Sequence, residues 1–288
     1  MGESITIARK RSRAASLLRP ILKESTFAVG LCILLVFVFV SLFAAWIAPQ
    51  APEDQDLMSA LQPPSAKHWF GTDELGRDLF SRVVHAARVD LAIAIGGVML
   101  AYAVALPFGL LAGYYGGKTD RWISSVSESI LTFPSLVLAI VLVSVIGTGI
   151  SGLIVTIMVT QAPQLIRYIR GFVLQIRGME YVEAARAAGS GTGYILFRHI
   201  LRNTLGPTVV VLSLLASEAV LVAAALGFLG LGVQPPDPEW GTMLSRSRSY
   251  FTQTPHLMIF PGMAIALLIL GFNLVGDGLR DMLDAKKR

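Results

Sequence analysis

Six apolar stretches constrain this chain more than any other feature. Residues 27–48 run for 22 positions without a charged side chain. At about 1.5 Å of rise per residue, a helix of that length crosses a hydrocarbon core of roughly 30 Å. Further runs at about 89–115, 124–146, 150–168, 207–231 and 257–275 contain only isolated charges. With 54% hydrophobic and 15% charged residues and a mean hydropathy of +0.64, the 288-residue chain has too much apolar surface for a soluble globule of its size. The expected architecture is an all-α membrane protein of six transmembrane helices. A cleaved signal peptide has an apolar region of about 7–15 residues, so the first run reads as a retained anchor.

Six spans put both termini on one side, and the basic residues say which. The N-terminal stretch (Arg9, Lys10, Arg11, Arg13, Arg19, Lys23), the short loop at 116–123, the segment 167–205 and the tail together hold 18 of the 24 Lys and Arg. The opposite loops, 49–88 and 232–256, hold the other 6. Positive residues concentrate on the cytoplasmic face, so both ends and the 180–202 segment are expected there. The net charge of +5 therefore points to anionic lipid at the membrane surface and not to nucleic acid.

The 180–202 segment is the one long polar stretch that also carries helix periodicity. Glu180 and Glu183 fall in a first turn, where the positive helix end favours carboxylates. Ala184, Ala185, Ala187 and Ala188 are strong helix formers, Gly189 suits a left-handed cap, and Ser190 or Thr192 can start a second run from Tyr194 to Arg202. Tyr181, Ala184, Ala185 and Ala188 form a thin stripe that buries little alone and fits a groove on a partner, with Glu183 and Arg186 pointing elsewhere. An ordinary amphipathic loop helix between two spans is the plainer reading.

Glu183-Ala184-Ala185, then Gly189, then Ile200-Leu201 after ten intervening residues resembles the EAA motif of permease subunits of bacterial ABC importers. Tyr181-Val182 and Phe197-Arg198-His199-Ile200-Leu201 are similar to the dipeptide/oligopeptide/nickel subfamily. So are Phe70-Gly-Thr-Asp73-Glu-Leu-Gly76-Arg77-Asp78, the stretch from Gly227 to Leu244, and Gly271 to Asp281. The resemblance spans about residues 70–284 and departs from the family at Arg202, where proline is usual, and at Ala223, where an acid is frequent. It implies the type I importer permease fold, with residues 180–202 as a cytoplasmic coupling helix seated in an ATPase cleft. Glu180, Tyr181, Glu183, Ala184, Ala185, Arg186 and Gly189 would make that contact. Implied partners are a homologous second permease, two cytoplasmic ATPase subunits that bind ATP and Mg, and a periplasmic or lipid-anchored binding protein. The implied location is the bacterial inner membrane. Di- or oligopeptides are the leading cargo; nickel complexes, glutathione and opine-like solutes are alternatives.

Several residues bear on packing or passage. Ala101, Ala105, Gly109, Gly113 and Gly117 recur every four positions, a ridge that lets a neighbouring helix approach closely. Pro107, Pro134 and Pro163 each interrupt a span's hydrogen bonding, which kinks a helix and can line a cavity. Asp90, Glu128, Gln161, Glu218 and Asn273 should face protein or water. Gln161 and Glu218, with Pro134 and Pro163, are the pathway candidates, and an interhelical hydrogen bond is the equal alternative for the first two. In the outer loop, Asp73 with Arg77 and Arg77 with Asp78 form either a charge-paired turn or a ligand-facing cluster, and Trp240 lies in the second outer loop.

Catalytic chemistry has little support. Gly113 to Thr119 imitates a phosphate loop but has three residues between its glycines where the Walker pattern needs four. The four histidines, His68, His85, His199 and His256, have no metal-ligand spacing, and no nucleophile elbow is present. The lone Cys32 reads as a small buried hydrophobe. The chain therefore divides into a basic N-terminus (1–26), an anchor (27–48), an outer loop (49–88), a five-helix core (89–276) and a tail (277–288). It is expected to be no enzyme, with no cofactor of its own. An ion-coupled secondary transporter is the rival, and it would require inverted repeats that the sequence does not show.

Overall fold

The computed structural model describes residues 25–285, so the basic cluster from Arg9 to Lys23 and the last three residues lie outside the described part. Every named element in it is helical. The anchor is α1 (Ser25–Leu42), followed by a short turn of helix at Ala44–Ile47. The long α2 (Leu79–Tyr115) contains Pro107. Next come α3 (Gly117–Leu131), α4 (Ser135–Ile146) and α5 (Ile150–Arg177). After the short α6 (Glu180–Ala187), α7 runs without a break over Thr192–Phe228. The chain closes with α8 (Trp240–Ser247) and α9 (His256–Ala285).

Five helices are long and apolar enough to cross a membrane: α1, α2, α5, α7 and α9. The expected third span, 124–146, is instead the pair α3 and α4, bent by 89°. Pro134 is the cause, since its ring clashes with a continuing turn and its ψ of 130° is extended. Boundaries shift for equally local reasons. Helix α2 starts ten residues ahead of the apolar run because the Asp78 carboxylate accepts from Ser81 N at 2.8 Å and caps it. At 37 residues it is about 55 Å long and extends well past the hydrocarbon. Helix α9 takes in most of the expected tail.

The core is the contact of α2 with α5. Ala101 and Ala105 are fully buried, and a Cβ on Gly97, Gly109 or Gly113 would lie 2.6–2.7 Å from Ile157, Ile169 or Val173. The ridge is therefore present, displaced toward Gly97. Gly117 is not part of it, because nothing lies within 4 Å of its Cβ direction and its φ of +57° serves the α2–α3 turn. Helix α1 packs on α9 in the same way, with Gly30 against Leu274 and Gly278 against Phe27. Leu34, Phe37 and Val40 pack on the core as well, whereas the opposite face of α1 points outward, and Cys32 is exposed there and not buried as expected. Leu35, Phe39, Val141, Leu221 and Leu270 are exposed too, as the outer faces of helices solvated by lipid should be.

Candidate functional site

The segment after α5 turns sharply. Gly178 ends α5, and Met179, with ψ 142°, begins α6, whose first turn holds Glu180 and Glu183. Gly189 has a φ of +80°. Its N–H donates to Arg186 O at 3.0 Å, and Ser190 N–H donates to Ala185 O at 3.0 Å, the paired bonds of a Schellman cap. The helix and its cap are as the spacing suggested.

The second run is not a separate helix. Thr192–Tyr194 passes through a π-helical stretch, Ile195–Leu201, directly into the rest of α7. With arginine at 202, no proline stands there to break the ladder.

One residue the stripe omitted seats α6 on the bundle: Val182 has no exposed surface. Tyr181 (42% exposed) faces out, as do Glu180, Glu183, Ala184, Ala187 and Ala188, while Ala185 is half-buried. Arg186 reaches back over the Tyr114 ring, 5.9 Å from its centre. The Tyr181 and Tyr194 rings flank His199 at 5.9 and 5.4 Å. The face left open is thus short, small and edged by two carboxylates. Val182 lay one position off the thin stripe, and only the packing of α6 on the bundle selects it.

The pathway candidates separate. Glu218 is half-buried on α7 and lines a cavity of about 500 Å³ with Gln164, Tyr168 and Arg280. It also lines a small adjoining pocket of about 40 Å³ with Thr160, Gln161 and Ser135. Gln161 is 4% exposed, and its Nε2 donates to Leu215 O at 2.9 Å, so it makes the interhelical bond and lines the pocket as well. Pro163 lines a different groove of about 400 Å³, with Phe108 and Trp122. Pro134 is exposed at the α3–α4 bend and lines none of these three. Asn273 accepts from the Ser217 hydroxyl at 2.8 Å, and Glu128 is exposed.

At the opposite end of the bundle the charged loop is a tied turn. Asp73 receives Arg77 Nε at 2.7 Å and the backbone N–H groups of Leu75 and Arg77 at 3.0 Å. Arg82 Nε lies 3.4 Å away. Arg77 and Asp78 do not pair, contrary to expectation. Asp78 faces the helix it caps and His68 Nδ1, 3.0 Å away, because its side chain is committed to the α2 N-terminus. Trp240 is fully buried, with Nε1 donating to Val83 O at 3.0 Å and its ring edge-on to Phe37.

Sequence reasoning missed Glu239. It caps α8 by accepting from Gly241 and Thr242 N–H at 2.6 and 2.9 Å. Its carboxyl also lies against Asp90 and so close to Gly227 that a Cβ there would fall 2.3 Å from Oε2. Burial pushes Glu239 up to about 6, against the backbone donors that pull it down. The Gly227, Gly232 and Gly241 spacing was the available signal, since each makes room for this carboxyl.

A bundle of long apolar helices with one bent pair, an open cavity lined by an acid, and a short capped helix at one end defines a helical transport protein of the membrane. Residues 105–288 match the family described as binding-protein-dependent transport system inner membrane component, and residues 14–64 match the N-terminal TM domain of oligopeptide transport permease C. The chain is 43% identical over 268 residues to the dipeptide transport system permease protein DppC of Alkalihalophilus pseudofirmus, covering 93% of this chain and 88% of that one. It is 42% identical to the di/tripeptide transport system permease protein DppC of Pseudomonas aeruginosa (89% and 87% covered). To the glutathione transport system permease protein GsiD of Pectobacterium atrosepticum it is 41% identical (90% and 86% covered). Among solved structures, an inward-facing MetNI methionine ABC transporter shares the fold, with a TM-score of 0.59 and 20% identity over 70% of this chain and 96% of that one. The chain belongs to the binding-protein-dependent transport system inner membrane component family: it is a permease subunit of an ABC importer, a multi-pass inner-membrane protein that works with an ATPase and a substrate-binding protein.

Proposed function

We propose that this permease forms half of the pathway of a di- or oligopeptide importer. A homologous permease supplies the other half, two ATPase subunits sit on the cytoplasmic side, and a binding protein delivers cargo at the outer face. ATP and Mg belong to the ATPase subunits, and this chain performs no catalysis. Both termini and residues 180–202 lie in the cytoplasm. The peptide relatives support the cargo; the glutathione relative favours a second reading, a tripeptide with a γ-linkage.

The open face of α6 is the observation that carries the coupling role. Tyr181, Ala184 and Ala185 enter an ATPase cleft, Glu180 and Glu183 orient there, Arg186 braces α6 on Tyr114, and Gly189 makes the turn. Since the segment after Gly189 is already α7, a push on α6 moves as a rigid body along the helix that carries Glu218. Alternating access of the cavity follows from rocking on the close-packed α2–α5 ridge. Asp73, Arg77, Asp78 and Trp240 hold the outer loops in shape for the binding protein.

The test is uptake into proteoliposomes containing both permeases and the ATPase, with the binding protein and cargo on the permeases' outer face and ATP on the side of the ATPase. ATP-dependent accumulation of alanyl-alanine is expected. Accumulation without ATP, driven by an ion gradient, would refute the reading.

A further inference from the structure

The small pocket beside the main cavity is rich in acceptors and holds no basic side chain. Gln161 has its Nε2 fixed on Leu215 O, so its Oε1 must face the other way, and that buried oxygen has no partner among the described residues. Thr160 spends its only proton on the carbonyls of Thr156 and Ile157, leaving lone pairs on its hydroxyl oxygen. Glu218 is neither hydrogen-bonded to nor paired with any described group. No Lys, Arg or His lines the pocket; the Ser135 hydroxyl and the Gln164 amide, which also line it, can each donate or accept. The orphaned, buried amide oxygen costs free energy unless a donor arrives, and the half-buried Glu218 carboxyl beside it lacks a partner among the described residues. Their shared complement is a compact cation with several N–H donors. The pocket's volume, about 40 Å³, suits one such group, with the rest of a solute left in the adjoining cavity.

We infer that Glu218, with Gln161 and Thr160, receives the primary ammonium group of the cargo as it passes, which for a peptide is its amino terminus. This rests on the peptide reading above. A carboxylate that accepts from an ammonium favours cargo with a free amine, and the amide and hydroxyl oxygens take its remaining protons. Glu218 is thus a contact to the transported molecule, separate from the α6 contact to the motor.

The experiment uses the complete importer in proteoliposomes with alanyl-alanine as cargo and reads uptake and ATP hydrolysis together. Glu218→Gln keeps shape and removes charge. It is expected to lower uptake at least tenfold, while Glu218→Asp stays within about threefold of the native rate and Gln161→Leu falls between. Hydrolysis stimulated by the loaded binding protein stays within about twofold in all three. Native uptake by Glu218→Gln would overturn the inference, as would loss of hydrolysis together with uptake, which assigns Glu218 to structure or coupling. If replacing sodium and potassium with choline abolishes native uptake, the pocket serves an inorganic cation and the ammonium assignment fails. Failure of the native importer to take up the dipeptide at all would instead sink the peptide reading, and this inference with it.

Discussion

The backbone N–H of Trp240 donates to the Asp90 carboxylate at 3.2 Å, joining positions 150 apart. The bond locks α8 onto α2 and brings Glu239 against Asp90 in a buried site. Burial there makes Glu239 ionise reluctantly.

The assembly should therefore be more stable in mild acid. Glu239 is raised from 4.5 to about 6, so its folded form holds a proton that the unfolded chain gives up. That contribution is complete below pH 4.5 and is lost as pH rises through about 6. The shift corresponds to roughly 2 kcal/mol. Thermal unfolding of the detergent-solubilised importer should show a midpoint that falls between pH 5 and pH 7, and Glu239→Gln should flatten that slope. An unchanged slope in the variant would remove Glu239 as its source.

Coupling should fail at α6 without loss of the membrane fold. Gly189→Pro forbids the φ of +80° and deletes the N–H that bonds Arg186 O, and Glu183→Lys reverses charge on the open face. Both should insert normally yet lose uptake relative to ATP hydrolysed. Val182→Asp should do the same by unseating the helix, since burying a lone carboxylate costs several kcal/mol. Membrane fractionation and the ratio of uptake to hydrolysis measure the two parts, and wild-type ratios in all three variants would count against the contact.

Overpacking the α2–α5 ridge should cost stability. Gly109→Leu drives a side chain into Ile169, whose Cβ is already 2.7 Å from the position a Cβ would take, for a loss of about 1–3 kcal/mol. Gly262→Leu, where the nearest atom is 3.9 Å off, is the control. Thermal midpoints should drop for the first variant and move little for the second.

Removing the Asp73 charge should loosen the outer loop. Asp73→Asn leaves the buried Arg77 and Arg82 without their main anion, a loss on the order of 3–5 kcal/mol. Protease added at the outer face should cut the 49–78 segment faster in the variant. Equal cutting rates would mean the ion pair contributes little.

Much of this was legible in one dimension because the bilayer imposes a simple code. A helix in lipid must be apolar for about 20 residues and satisfy its own backbone, so spans, caps and the Gly189 turn depend on residues close in sequence. The α6 cap is a bond between positions 185 and 190, well inside what local spacing can specify. The 89° bend was half visible: Pro134 announced a break, but not that α3 and α4 would diverge so far.

What remained hidden required residues distant in sequence to meet. Nothing near Glu239 marks Asp90 as its neighbour, nothing in the 180–188 stripe singles out Val182, and Arg77 stands as close in sequence to Asp78 as to any partner yet turns to Asp73. The chain by itself determined that it would cross the membrane as helices and expose one short capped helix, since both follow from local hydrophobicity and backbone geometry. Only the tertiary structure decided which polar groups share a pocket, because Gln161 and Glu218 come together through the packing of α5 on α7, and packing is settled by shape across the whole bundle.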